Sequence, residues 1–198
     1  MFLQFDSSSF ERAARNLGAS IEQVPFALAS TLNSAAFAAR RELTQVTWPS
    51  SVQVHNPRFL TNALRVNLAD KHNLQVEIND VMGRASLALH AFGGVKSPRI
   101  AHLAIPVSGQ LVRGMKGIAK EQRPKALIAS TPKRALRVTP RGIFIGSGGS
   151  LELFYVFKTV VKIPEDVPFE EDFRRVMTNR MSTDLPKAVK HAMDTARK

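Results

Sequence analysis

The side chains with the clearest chemistry in this sequence are a series of lysines and arginines near its middle. Residues 81–150 contain 12 basic side chains and one acidic side chain, whereas residues 1–80 contain seven of each and residues 151–198 contain nine and eight. Eleven of the cations lie in a stretch rich in glycine and proline: Lys96, Arg99, Arg113, Lys116, Lys120, Arg123, Lys125, Lys133, Arg134, Arg137 and Arg141. Lysine and arginine bind polyanions by releasing the counterions that screen them. Because like charges repel one another, this block predicts an anionic partner.

The residues that accompany the cations narrow the choice of partner. Phe92 is the single aromatic residue of the stretch at 91–142, so base stacking on aromatic side chains is not expected. The stretch also lacks a helix with clustered arginine, asparagine and glutamine that would read bases in the major groove. We expect sequence-independent contact with the backbone of double-stranded DNA or contact with an acidic protein surface, and both alternatives stay open. A surface charged only for solubility is the third alternative.

The residues that could support catalysis or bind a metal form no recognisable motif. No two histidines have the four-residue spacing of a helical metal-binding pair. The histidines are His55, His72, His90, His102 and His191. The acidic cluster at 166–172 is typical of a helix N-terminus. The glycine-rich segment at 146–149 is not followed by the lysine that a phosphate-binding loop requires, so it favours a hairpin turn. We expect a protein that is not an enzyme and has no metal and no cofactor.

Helices are predicted at both ends of the chain. A short helix over residues 10–17 precedes a capping box at 20–23, and apolar residues then recur every three or four positions from 21 to 46, which predicts one long helix. Phe26 and Phe37 lie off this stripe, where they are either core residues or contacts with a neighbouring subunit, and core is the favoured interpretation. A C-terminal helix begins near Asp166 and kinks or restarts at 182–186, where Pro186 lies.

Strands are predicted between these helices. Alternating apolar and polar residues predict a hairpin over 64–68 and 74–78. Further strands are predicted over 2–5 (an edge strand), 52–54, 85–90, 143–145 and 151–157, with 160–163 continuing the last of them. The order of elements predicts a single α+β domain over residues 1–198, in which a long N-terminal helix and C-terminal helices pack on an antiparallel sheet. The basic, glycine- and proline-rich stretch at 91–142 is then a long insertion between strands, a partly ordered flap with a hairpin.

The compartment of the protein is indicated by absences in the sequence. There are no cysteines, which fits assembly in a reducing cytoplasm. No apolar run approaches the roughly 20 residues needed to span a bilayer, and the N-terminus lacks the pattern of a signal peptide, so no membrane association is expected.

Several short motifs together resemble a known family. They lie in order along the chain: FERAA at 10–14, QVPFALA at 23–29, LNSAA at 32–36, NPRFL at 56–60, IPEDVP at 163–168, FRR at 173–175 and LPKAV at 185–189. In this arrangement the sequence resembles the phage minor tail protein Z family, the tail completion proteins of lambda-like tailed phages. The resemblance covers most of the chain, and the basic middle is the part that matches least.

The resemblance implies a structural virion protein at the head–tail joint, assembled in the host cytoplasm. Such proteins form a ring, expected to be a hexamer, at the top of the tail. Their neighbours are the tail terminator and the connector proteins on the portal side, and they help to join the tail to the head and to secure or pass the double-stranded DNA in the lumen. The alternative function is a sequence-independent DNA-binding protein that acts outside the virion.

Overall fold

The computed structural model describes residues 1–16, 24–83, 87–98, 101–115, 117–147 and 149–196. Its α-helices are α1 (Ser8–Asn16), α2 (Val24–Glu42), α3 (Trp48–Ser51), α4 (Phe59–Ala63), α5 (Leu87–Phe92), α6 (Pro124–Ser130) and α7 (Phe169–Ala196). Its strands are β1 (Phe2–Gln4), β2 (Leu64–Asn67), β3 (Glu77–Asp80), β4 (Gly94–Lys96), β5 (Leu103–Pro106), β6 (Arg113–Gly114), β7 (Gly117–Ile118), β8 (Leu136–Thr139), β9 (Gly142–Ser147), β10 (Ser150–Lys158) and β11 (Val161–Ile163). All described strand pairs are antiparallel, which confirms the α+β class.

The chain divides into two compact units. Unit 1 consists of residues 1–91 and 165–198, and unit 2 consists of residues 92–164. The sequence predicts 91–142 as an insertion in a single domain and places the strands after residue 142 in the part that surrounds the insertion. In the structure those strands group with the basic stretch, because β10 pairs with both β5 and β9.

Two long helices form the centre of unit 1. The predicted apolar stripe of α2 is buried at Val24, Leu28, Leu32, Ala35 and Ala39. A π-helical turn at Leu43–Thr47 continues α2 into α3, so the helical segment extends five residues beyond the predicted end at 46. The stripe of α7 is also buried, at Phe169, Phe173, Met177, Met181, Leu185 and Val189. Successive members of this series are four residues apart, so each side chain lies beside the next one along the surface of α7.

One prediction about the helices is wrong. Phe26 and Phe37 are 71% and 48% exposed, so neither is a core residue. Of the kink or restart predicted for the C-terminal helix at 182–186, the restart is absent, since α7 runs through Pro186. The buried Leu185 and Val189 pack in the core on either side of the proline. The predicted capping box at 20–23 lies outside the described residues.

A three-stranded sheet completes unit 1, with strand order β1–β3–β2. The predicted hairpin of β2 and β3 and the predicted edge strand β1 are confirmed, although β3 begins at Glu77, three residues later than expected. Leu3 on β1 and Ile78 on β3 are paired, and both join the core that contains α2 and α7. The segment predicted as a strand at 52–54 is not a strand.

One predicted strand is a helix in the structure. Residues 87–90 belong to α5, and residues 85 and 86 lie outside the described part of the chain. Leu87 and Ala91 are buried, and their spacing of four residues places them on one helical face. The alternating side chains of this short stretch fit a strand, but tertiary packing of the i, i+4 pair selects the helix.

Unit 2 is built on a four-stranded sheet with strand order β5–β10–β9–β8. The predicted hairpin turn at 146–149 is confirmed by the pairing of Ser147 with Ser150, and a bulge interrupts β10 between Leu153 and Tyr155. Strand β11 does not continue β10 but pairs with β4, and β6 and β7 form a separate ribbon. The fully buried large side chains of the described unit are Ile143 and Tyr155. No helix within the described residues is long and apolar enough to cross a membrane.

Candidate nucleic-acid interface

The net charge of the chain belongs almost entirely to unit 2. The sequence of unit 2 contains 13 basic and two acidic side chains, whereas that of unit 1 contains 15 basic and 14 acidic side chains. The predicted block contributes eleven of the 13 cations. The other two are Lys158 and Lys162, which lie beyond residue 142 on β10 and β11 and so outside the predicted insertion. The charged region is therefore a folded unit and not a loop.

The predicted cations of unit 2 lie at its surface. Nine of the eleven are within the described residues, and all nine are exposed: Lys96, Arg113, Lys120, Arg123, Lys125, Lys133, Arg134, Arg137 and Arg141. The remaining two, Arg99 and Lys116, lie outside the described residues. Lys158 and Lys162 are exposed as well.

The two units differ in how their charges are paired. Every ion pair found among the described residues is in unit 1; examples are Arg15 with Glu11 at 2.6 Å and Arg174 with Glu170 at 2.8 Å. Within the same residues, no lysine or arginine nitrogen of unit 2 lies within 4.0 Å of a carboxylate oxygen. The charge of unit 2 thus faces solvent uncompensated, which is the electrostatic condition for binding a polyanion.

One group of cations surrounds the β6–β7 ribbon. Lys120 and Arg123 line a surface depression of about 450 Å³ together with Val112, Met115 and Ile118. Arg113 lies on β6 itself, opposite Ile118. The structure thus places Arg113, Lys120 and Arg123 around one ribbon, although six residues lie between Arg113 and Lys120 in the sequence.

The ribbon is fixed to the sheet by a short hydrogen-bond chain. The buried hydroxyl of Tyr155 on β10 donates to the Gln122 carbonyl oxygen at 2.8 Å, and the Val112 amide donates to Gln122 Oε1 at 2.8 Å. Burial raises the pKa of Tyr155, and the positive charges of Arg113 and Arg123 oppose that rise. The phenol therefore stays protonated as a donor at neutral pH.

The other cations are distributed over separate parts of unit 2. Lys125 is on α6, Lys133 and Arg134 are in the turn that follows it, and Arg141 is in the turn between β8 and β9. Arg137 on β8 and Lys158 on β10 share a sheet face by register with the half-buried Phe144, Leu153 and Val156. Lys96 is on β4, which belongs to a different pair of strands.

A histidine–aspartate pair in unit 1 escaped the sequence analysis. The Nδ1 atom of His90 lies 2.7 Å from Asp166 Oδ1. The partners are 76 residues apart, so no local motif could have indicated the pair. The Trp48 ring packs edge-on against the His90 ring. The described residues contain no group of three or more His, Cys, Asp or Glu side chains that could bind a metal ion.

The arrangement as a whole can hold phosphate groups by charge and by hydrogen bonds from lysine and arginine. Residues 91–142 contain a single Phe, Trp or Tyr, which is Phe92, and the strands that complete unit 2 add the half-buried Phe144, Phe154 and Phe157 and the buried Tyr155. In comparisons of the chain with models of protein families, with curated proteins and with solved structures, nothing matches.

Proposed function

We propose that this protein is a structural subunit of the neck of a tailed phage, a tail completion protein that contacts double-stranded DNA through unit 2. The observation that carries the DNA contact is the charge of unit 2, whose described cations are exposed and form no ion pair, in contrast to the nearly balanced charge of unit 1. The place in the virion rests on the ordered motifs that resemble minor tail protein Z, all of which begin outside the basic block.

Contact with the DNA backbone follows from the kind of charge that unit 2 presents. Its described cations are on turns, on strands, on the 3-10 helix Lys120–Gln122 and on the seven-residue helix α6, and none of these is a long helix for insertion into a major groove. Such a surface neutralises phosphates wherever they lie and gives affinity without sequence preference. This property suits a protein that secures or passes DNA of any sequence.

Ring assembly has a candidate surface on α2. Phe26 and Phe37 are exposed and lie 11 residues apart, about three helical turns, so they share one face of the helix at a separation of about 16 Å. Exposed aromatic side chains are enriched at protein interfaces. We assign this face to contact with a neighbouring subunit in the proposed hexamer, and the tail terminator and portal-side connector are the other expected neighbours.

The DNA contact is tested by reversing charge on unit 2 away from the ribbon. The triple variant Lys125→Glu, Lys133→Glu and Arg134→Glu changes three exposed residues. We expect weaker binding to duplex DNA, with a salt dependence reduced by about 0.9 in log–log slope for each lost phosphate contact. In a phage that carries the variant, the yield of infectious particles falls while the protein stays folded.

The matched control reverses three exposed cations of unit 1, in the variant Arg58→Glu, Lys71→Glu and Lys190→Glu. It makes the same change in net charge, so an equal loss of DNA binding would contradict a specific role for unit 2.

The place in the virion is tested by imaging purified particles. Density for this chain at the neck is expected, whereas its absence from particles that contain the rest of the tail would favour the alternative of a DNA-binding protein outside the virion.

A further inference from the structure

The two faces of the four-stranded sheet in unit 2 differ in burial. Ile143 and Phe144 follow each other on the inner strand β9, so their side chains lie on opposite faces. Tyr155 pairs with Ile143 and Leu153 pairs with Phe144, so each shares the face of its partner. Ile143 and Tyr155 are 0% and 1% exposed, and the Tyr155 hydroxyl donates to the Gln122 carbonyl oxygen on that covered face. Phe144 and Leu153 are only half-buried, although they lie on the same two inner strands, so theirs is the open face of the sheet.

The open face is apolar at its centre. Its apolar members, assigned by strand register, are Leu103, Ile105, Phe144, Leu151, Leu153 and Val156. Leu151 is 48% exposed and the others are half-buried, so together they present a shallow surface of ring and methyl groups. The solvent-facing side of an antiparallel sheet is normally polar, so this composition indicates a partner.

The charged side chains that the described strands place on the open face are cations. Arg137 on β8 pairs directly with Phe144, and Lys158 at the end of β10 lies on the same face by register. Both cations are exposed. The acidic side chains of unit 2 lie elsewhere, since Glu152 is by register on the covered face and Glu121 is on the 3-10 helix outside the sheet. The open face therefore combines an aromatic ring with positive charge beside it.

A partner for this surface needs flat apolar groups with negative charge next to them. The unpaired bases and the phosphates of a single-stranded nucleic acid have this chemistry, because bases stack on aromatic rings whatever their sequence and lysine and arginine bind the backbone. A duplex fits less well, since its base faces are already stacked on one another. A second copy that presents the same face is disfavoured, because 13 basic and two acidic side chains give each unit 2 a net charge of +11.

We propose that the open face binds single-stranded nucleic acid, with a base stacked on the Phe144 ring beside Leu153 and with Arg137 and Lys158 on phosphates of the same strand. Phe144 lies two residues beyond the stretch 91–142, for which the sequence predicts no base stacking. The inference goes beyond the duplex contact of the proposed function and shares with it the positive charge of unit 2.

The test measures binding of the full-length protein to oligodeoxythymidine and to oligouridine of about 16 nucleotides, by fluorescence anisotropy at several salt concentrations. Phe144→Leu keeps an apolar side chain but removes the ring, so we expect at least about 5-fold weaker binding at every salt concentration, with an unchanged salt slope. Arg137→Gln instead reduces the log–log salt slope by about 0.7 for a lost phosphate contact. The matched control is Phe157→Leu, which makes the same change in a half-buried phenylalanine of the covered face and retains wild-type affinity.

The outcomes separate this inference from the proposed function. If the wild type binds duplex DNA but neither oligonucleotide, or if Phe144→Leu and Arg137→Gln bind the oligonucleotides like the wild type, the inference is overturned while the duplex contact stands. Binding of an oligonucleotide through Phe144 without any binding of duplex DNA supports the inference and removes the duplex contact.

Two further results would overturn the inference. An equal loss of affinity in Phe144→Leu and Phe157→Leu would mean that binding depends on the packing of the sheet and not on the ring of the open face. A change of oligomeric state in Phe144→Leu, measured by light scattering and accompanied by unchanged oligonucleotide affinity, would assign the open face to another copy of the chain.

Discussion

At the scale of single residues, Asp172 shows how a role depends on partners far along the chain. The sequence places it in the acidic first turn of α7, where a carboxylate favours the helix dipole. The structure adds a hydrogen bond from Thr47 Oγ1 at 2.5 Å and one from Arg175 at 2.7 Å, and Arg175 also binds Glu42 at 3.0 Å. Asp172 therefore links α7 to the π-helical turn after α2.

This network makes the stability of unit 1 depend on pH in a predictable direction. Burial acts to raise the pKa of Asp172, but the hydrogen bonds from Thr47 and Arg175 outweigh it and hold the pKa below its ordinary value. Because the folded pKa is the lower one, ionised Asp172 stabilises the fold above about pH 4. That contribution is lost as the pH falls through the folded pKa.

Asp172→Asn is expected to lower the free energy of unfolding at pH 7 by about 1–3 kcal/mol, since it weakens two charge-assisted hydrogen bonds of a half-buried group. It should also flatten the loss of stability below pH 4 in chemical denaturation experiments. Glu171→Gln is the matched control, because it removes an exposed acid from the same helical turn. An equal effect of both substitutions would mean that only the helix dipole is involved.

At the scale of elements, local periodicity decided what could be predicted. The stripe of α2 repeats every three or four residues for five turns, and the helix is present as expected. By contrast, β5 and β8 have four residues each, and β5 pairs with β10, more than 40 residues further along the chain. Such short segments have too little periodicity to predict a strand, so the sequence indicates only a partly ordered flap. The hydrogen bond from Tyr155 to Gln122 that anchors the ribbon could not be predicted either, because the two residues are 33 positions apart in the sequence. The candidate cations were predictable as a block, but their grouping around the ribbon was not.

The packing of α2 depends on its small residues. Ala36 is fully buried in the core of unit 1, which also contains the apolar face of α7. Ala36→Leu adds three carbon atoms to a close-packed interior, and we expect it to destabilise the protein by about 1–3 kcal/mol in thermal or chemical unfolding. Ser34→Leu, two residues away on the exposed side of the same helix, is the control and is expected to change stability by no more than about 0.5 kcal/mol. A tolerated Ala36→Leu would show that α2 has room on this face.

At the scale of the whole molecule, the chain leaves unit 1 after Ala91 and returns to it at Glu165. The two crossing points are held together inside unit 1: the His90 carbonyl oxygen accepts hydrogen bonds from the Asp166 and Val167 amides, both at 3.2 Å, and the His90 ring binds the Asp166 carboxylate. The core of unit 1 draws all its residues from 1–91 and 165–198. Unit 2 thus contributes charge without contributing to that core.

Replacing residues 92–164 by a short glycine–serine linker is therefore expected to leave unit 1 folded, since the ends to be joined are already adjacent. The shortened protein should unfold cooperatively in calorimetry, keep the α-helical circular dichroism of α2 and α7, and lose its affinity for duplex DNA together with nearly all its net charge. Adding His90→Ala to it removes the side-chain bond to Asp166 and should lower its melting temperature. A shortened protein that binds the dye ANS and melts without cooperativity would show instead that unit 1 needs unit 2 to fold.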